Sequence, residues 1–230
     1  MKRVKLILTR HGQSIYNQKH LFTGWTDIDL SPKGIQEAQN IGKILKQNSI
    51  YPNICFTSWL KRAIHTAQIT LKELEWEHID MIKSYKLNER HYGAWQGKNK
   101  EAIKEEIGEE LFLAIRRGYE TPPPPLNPND SRVPWNDKKY ANIPHSLLPL
   151  SESLKDTKKR VIQYFNSHII PHLKSGKDVL ISAHGNSLRA LVMELENINP
   201  KDIVNLEIPT GEVIVYICED LKIVDKQILK

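Results

Sequence analysis

Short apolar runs alternate with stretches of helical period along most of this chain, and that alternation narrows the possible folds more than any other feature. Val4–Thr9, Ile54-Cys55-Phe56 and Asp178–Ala183 read as buried strands, and Ile79–Ile82 as a weaker one; all are too short to be helices of ordinary length. Between them, Ser31-Pro32 opens a helix, since serine caps well and proline is tolerated in the first turn. Ile35, Ala38, Ile41 and Leu45 then recur on one face. A second helix covers Leu60 to about Leu74. A third, from about Ser153, carries Leu154, Val161, Phe165 and Ile169 on one side and ends before Gly176. His184-Gly185-Asn186 opens a fourth over Ser187 to about Glu196, and Val213–Cys218 with Lys222–Ile228 reads as a terminal strand pair. Strands alternating with helices predict an α/β fold with a mainly parallel sheet covered by helices on both faces. A chain of 230 residues suffices for one well-buried core and is short for two, so 1–230 is read as a single domain.

One segment breaks the alternation. Tyr119–Leu150 contains Pro122-Pro123-Pro124-Pro125 and has no periodicity. A long irregular stretch in a compact domain is usually either a functional lid or disordered; the lid reading extends it to about 98–150.

Bulk properties exclude several classes. No apolar run approaches the ~20 residues needed to span a bilayer, and the first one stops at Thr9-Arg10, shorter than a secretory leader needs. Cys55 and Cys218 are read as buried free thiols of a cytoplasmic protein. No Cys-x-x-Cys or His-Glu-x-x-His spacing points to a metal. The net charge of +6 suits an anionic partner, but its basic residues are scattered without a run of five or six, which argues against nucleic acid. No membrane partner is expected either.

Two histidines follow predicted strands: His11 after Val4–Thr9 and His184 after Asp178–Ala183. In an open α/β sheet, ligands sit at the C-terminal strand ends beside helix N-termini. Each histidine precedes a glycine, which would let main-chain N–H groups approach an anion. A lone His-Gly is usually a turn; two at matching strand ends, one after Arg10, point to a site.

Longer motifs surround these histidines. They are Leu8-Thr9-Arg10-His11-Gly12-Gln13-Ser14, Phe22-Thr23-Gly24-Trp25 and Thr57-Ser58-Trp59-Leu60-Lys61-Arg62-Ala63. Leu87-Asn88-Glu89-Arg90-His91-Tyr92-Gly93, Arg116-Arg117-Gly118 and Ala183-His184-Gly185-Asn186-Ser187-Leu188-Arg189 follow. Together they resemble the histidine phosphatase superfamily and, more closely, its cofactor-dependent phosphoglycerate mutases, from about residue 4 to 228.

That resemblance implies His11 as the nucleophile, Arg10, Arg62 and His184 as stabilisers of the transferring phosphoryl group, and Glu89 as the general acid/base. It further implies substrate contacts from Ser14, Asn17, Thr23, Gly24, Arg90, Tyr92, Lys100, Arg116, Arg117, Gly185 and Asn186. The implied reaction interconverts 3- and 2-phosphoglycerate, primed by 2,3-bisphosphoglycerate and without a metal, in a homo-oligomer (dimer or tetramer). A phosphatase, a bisphosphoglycerate synthase and an idle binding module are the rivals. His91 is given no catalytic role, and His20, His65, His78, His145, His168 and His172 are read as structural or exposed.

Overall fold

The computed structural model describes residues 3–230. In chain order its first half runs β1 (Arg3–Arg10), α1 (Ile15–Gln18), α2 (Pro32–Gln47), β2 (Ile54–Thr57), α3 (Lys61–Glu73), β3 (Met81–Lys83), α4 (Lys100–Ile107) and α5 (Glu109–Arg117). The second half adds α6 (Leu154–Tyr164), α7 (Ile170–Lys174), β4 (Val179–Ala183), α8 (Gly185–Leu195), β5 (Val213–Glu219) and β6 (Lys222–Leu229).

One sheet has the strand order β3-β2-β4-β1-β5-β6. The first four strands are mutually parallel, and β5 and β6 form an antiparallel pair on the β1 side. Alternation within the strands divides the core between two faces. Leu6, Leu8, Phe56 and Ile181 meet Val161, Leu188 and Leu191 on one side, while Ile7, Cys55 and Leu180 meet Ile41, Leu45 and Leu71 on the other. Strands buried on both faces are the mark of a helix-covered parallel sheet, and the α/β expectation holds. Both cysteines are free and buried.

The local signals hold with adjustments. Ser31 caps α2, its hydroxyl accepting from the Gly34 N–H. Ile35, however, lies on the solvent side, 43% exposed, and Gly34 takes the inward position instead; packing there is backbone against backbone, which an isoleucine cannot satisfy. The helix expected from Ser153 is interrupted by a wide π turn over Phe165–Ile169. Pro171, two residues beyond it, lacks the N–H that a regular α-turn would use. The third strand starts later than expected, at Met81.

The segment expected as a lid is more ordered than its composition suggests. It begins with helices α4 and α5 and continues as extended chain with single 3-10 turns. Leu126, Val133, Tyr140 and Leu148 are buried. Tyr140 stacks on Trp25 at 5.2 Å. Its anchors are spaced irregularly, so no period could reveal them.

Candidate active site

Parallel pairing of β1 with β4 puts Arg10 opposite Ala183, and the His11 N–H donates to the Ala183 carbonyl at 2.9 Å. The two histidines therefore leave the sheet side by side, their ring centres 5.0 Å apart. Gly12 lies so close to α2 that a Cβ would stand 2.2 Å from the Gly34 carbonyl oxygen, and its N–H donates to Thr66 Oγ1. That amide is committed to α3 and is not available to an anion, contrary to the sequence reading. At Gly185 an added Cβ would meet nothing nearer than 3.5 Å, so this glycine is not forced by space.

His11 is buried, and its Nδ1 lies 2.7 Å from the Gly12 carbonyl. A carbonyl only accepts, so Nδ1 carries the proton and Nε2 keeps its lone pair. Burial first, then the Arg62 and Arg10 charges, hold the imidazole well below its usual pKa. Arg62 Nε approaches His11 Nε2 at 3.3 Å, while its other nitrogens bond the carbonyls of Gly24 and Thr26. Burial lowers this guanidinium to about 10, which leaves it cationic near neutrality. Arg10 is held by the Ile208 carbonyl. His184 is fully buried, with Nε2 2.7 Å from Ser58 Oγ.

Glu89 Oε1 accepts from the N–H groups of Arg90 and Asn186, the second at the first turn of α8. Its own carbonyl is gripped by Trp25 Nε1 at 2.6 Å and Arg160 Nη2 at 2.8 Å. Arg160 also bonds both Glu152 carboxylate oxygens and the carbonyls of Lys86 and Asn88. The loop bearing Glu89 is thus fixed through its backbone.

One cavity is walled by Arg10, His11, Asn17, Thr23, Gly24, Arg62, Glu89, Tyr92, Lys100, Arg116, Arg117, Gly185 and Asn186. Three expected site residues are not on its wall. His184 is fully buried against His11. Ser14 is buried and exchanges capping hydrogen bonds with Asn17, orienting it. Arg90 is fully buried and bonds the Ile115 and Arg116 carbonyls at the end of α5, with Tyr92 packed at 4.5 Å.

Sequence reasoning missed Arg189, Glu207, Leu21, Phe22 and Ile208, which also line the cavity. Arg189 Nη1 bonds Asn186 Oδ1, and its Nη2 bonds the Arg117 and Ile203 carbonyls. The signal was present: Arg189 follows Asn186 by three positions, on the same helix face. Glu207 accepts from Arg117 at 2.9 Å. With Arg189 counted, six cationic side chains face two carboxylates around the cavity, a surplus that suits a ligand with several negative charges. Among the described residues, no three His, Cys, Asp or Glu side chains gather as a metal-binding group, and no helix is long and apolar enough to cross a membrane.

A mainly parallel sheet with two histidines at neighbouring strand ends, and Arg10 and Arg62 beside the first of them, defines a class that sequence comparison confirms. The chain belongs to the histidine phosphatase superfamily, branch 1, whose sequence profile matches residues 6–224. More particularly, it is 50% identical over 212 residues to the 2,3-bisphosphoglycerate-dependent phosphoglycerate mutase of Nautilia profundicola, covering 92% of this chain and 93% of that one. The enzyme of the same name from Thermobifida fusca is also 50% identical, over 94% of this chain and 87% of its own. Among solved structures, Bacillus stearothermophilus YhfR aligns with a TM-score of 0.71 at 23% identity, over 96% of this chain and 94% of its own. Phosphoglycerate mutase from Bacillus anthracis aligns at 0.68 and 22%, over 99% and 92%. At such identities the structural likeness is one of fold.

Proposed function

We propose that this enzyme interconverts 3-phosphoglycerate and 2-phosphoglycerate through a phosphohistidine on His11. One observation carries the reading: a neutral imidazole, with Nδ1 tied to Gly12, presents Nε2 at the floor of a cavity ringed by cations. When bound, 2,3-bisphosphoglycerate supplies the phosphoryl group that charges His11; the cationic wall fits a ligand with phosphate at one end and phosphate plus carboxylate at the other.

Arg10 and Arg62 flank His11 and neutralise charge on the transferring group, which phosphoryl transfer needs more than covalent assistance. Arginine suits this better than lysine because its planar fork grips two oxygens together. Gly24 and Gly185 offer backbone N–H groups on the same wall, and Asn17 offers its amide. Glu89 has Oε1 occupied by two main-chain donors, so Oε2 is the atom that exchanges a proton with the substrate hydroxyl. Tyr92, Lys100, Arg116 and Arg117 take the distal anion. The segment over about 98–150 is the lid, holding the intermediate while it reorients and keeping water from phospho-His11.

The reading carries with it metal independence, a cytoplasmic location and a homo-oligomer. The decisive assay measures 2-phosphoglycerate formed from 3-phosphoglycerate, with and without added 2,3-bisphosphoglycerate, in the presence of EDTA. Priming-dependent turnover that survives the chelator is expected. Release of inorganic phosphate without isomer exchange would replace the mutase reading with a phosphatase.

A further inference from the structure

His184 is fully buried and lies against His11, yet half of its hydrogen-bonding capacity has no protein partner. Nε2 meets Ser58 Oγ at 2.7 Å, whereas Nδ1 is buried without a hydrogen-bond partner among the described residues. A buried polar atom left unpaired costs roughly 1–3 kcal/mol, and such orphans in a folded protein call for an explanation. Which nitrogen carries the proton decides what that orphan can do.

Ser58 supplies the answer through its own hydrogen-bond accounting. It is fully buried at the end of β2, so its hydroxyl proton is shielded from bulk solvent. Its Oγ already accepts the Leu60 N–H at 3.1 Å, and among the described residues His184 Nε2 is its other partner. A hydroxyl has one donor, and among the described residues the acceptor within its reach is the Nε2 lone pair. Nε2 is then unprotonated, and the proton of the neutral ring sits on Nδ1.

We infer that Ser58 is a positioning residue that fixes His184 in its Nδ1–H tautomer, so that the orphaned Nδ1 stands as a preset donor to an oxygen of the phosphoryl group on His11. The inference rests on the phosphohistidine reading above and deepens it. A neutral ring has one proton to offer, and the environment keeps the ring neutral: burial, then the Arg62 charge, hold His184 well below its usual pKa. His184 therefore cannot serve as a general cation. It can stabilise the transferring group only as an oriented N–H, which makes its tautomer decisive.

The test starts with the unaltered protein labelled with 15N-histidine. Long-range 1H–15N spectra read the tautomer of each ring directly, and loss of one set of signals in His184→Gln assigns the one of interest. His184 is expected to show a protonated Nδ1 and an unprotonated Nε2; the reverse pattern overturns the proposal without any variant. Ser58→Ala should then mix the tautomers and weaken vanadate, which mimics the transferring group, by about 10-fold or more. Loss of a single oxyanion donor typically costs about 10²–10³ in kcat, and a fall of about 10–100-fold is expected, with KM within about twofold. Ser58→Thr, which keeps the hydroxyl, should restore the tautomer. An unchanged tautomer and vanadate affinity in Ser58→Ala would show that Ser58 only fills space. Neither the spectra nor vanadate binding needs mutase turnover, so an enzyme that proved to be a phosphatase would leave this test intact.

Discussion

On the proposed reading His11 and Glu89 are prepared for opposite tasks by the same device, a backbone partner that occupies one of two candidate reacting atoms. Gly12 claims Nδ1 of His11 and leaves Nε2 to a single long contact from Arg62 Nε; the Arg90 and Asn186 amides claim Oε1 of Glu89 and leave Oε2. Incubation with 2,3-bisphosphoglycerate should therefore label the protein with one acid-labile, base-stable phosphate, and His11→Ala should not be labelled. A label that persists in that variant moves the nucleophile elsewhere. Glu89→Gln keeps the shape and can still accept both amide hydrogen bonds, but it cannot pass a proton. Turnover should fall by about 10²–10⁴-fold, the usual share of a general acid/base, with ligand affinity largely kept. The sequence marked both residues because strand ends and local motifs are short-range features. It did not reveal the Glu152–Arg160 pair that fixes the Glu89 backbone, since Arg160 lies 71 positions from Glu89 and only the fold joins them.

At the level of elements, the end of α5 is the part with the most at stake. Its last carbonyls would ordinarily face water. Instead Arg90 bonds those of Ile115 and Arg116, and Arg189 bonds that of Arg117. Two buried cations thus complement the negative helix end and aim Arg116 and Arg117 at the cavity from α5. Removing both in Arg116→Ala/Arg117→Ala should weaken phosphoglycerate binding and let more phosphoryl groups reach water. The ratio of mutase to phosphatase activity, measured against the parent chain, is expected to fall; an unaltered ratio would reduce these arginines to surface charges. The elements themselves were legible where period and caps agree, as with Ser31 on α2. They were not legible where tertiary contacts override the local signal. Ile35 fits the helical period but faces solvent, because the loop after β1 presses backbone against backbone at Gly34. The stretch 119–150 is pinned by Trp25, Tyr85 and Tyr140, whose contacts span distant parts of the sequence.

Across the whole molecule, the site is built at a cost that pH exposes. His11, His91 and His184 are all buried and neutral. Burial is the first cause in each case; Arg62 adds to it at His11 and His184, and Arg160 at His91, which is brought down to about 3. In the unfolded chain each would titrate near 6.5. Below that pH the unfolded state binds protons that the native state refuses, so stability is fully present above about 6.5 and is lost as pH falls. Each group contributes up to about 1.4 kcal/mol per pH unit, and the three together up to about 4 kcal/mol between pH 7.5 and 5.5. Urea unfolding across that range should show the midpoint dropping steeply while the slope with denaturant stays constant. His91 separates this effect from catalysis, since it lies off the cavity wall and accepts the Gly93 N–H at Nδ1. His91→Asn should remove about a third of the pH dependence, because one of the three protonations disappears from the balance. A midpoint that is the same at pH 7.5 and 5.5 would mean that these histidines take up protons in the native state, and the neutral His11 on which the phosphoryl-transfer reading depends would go with it.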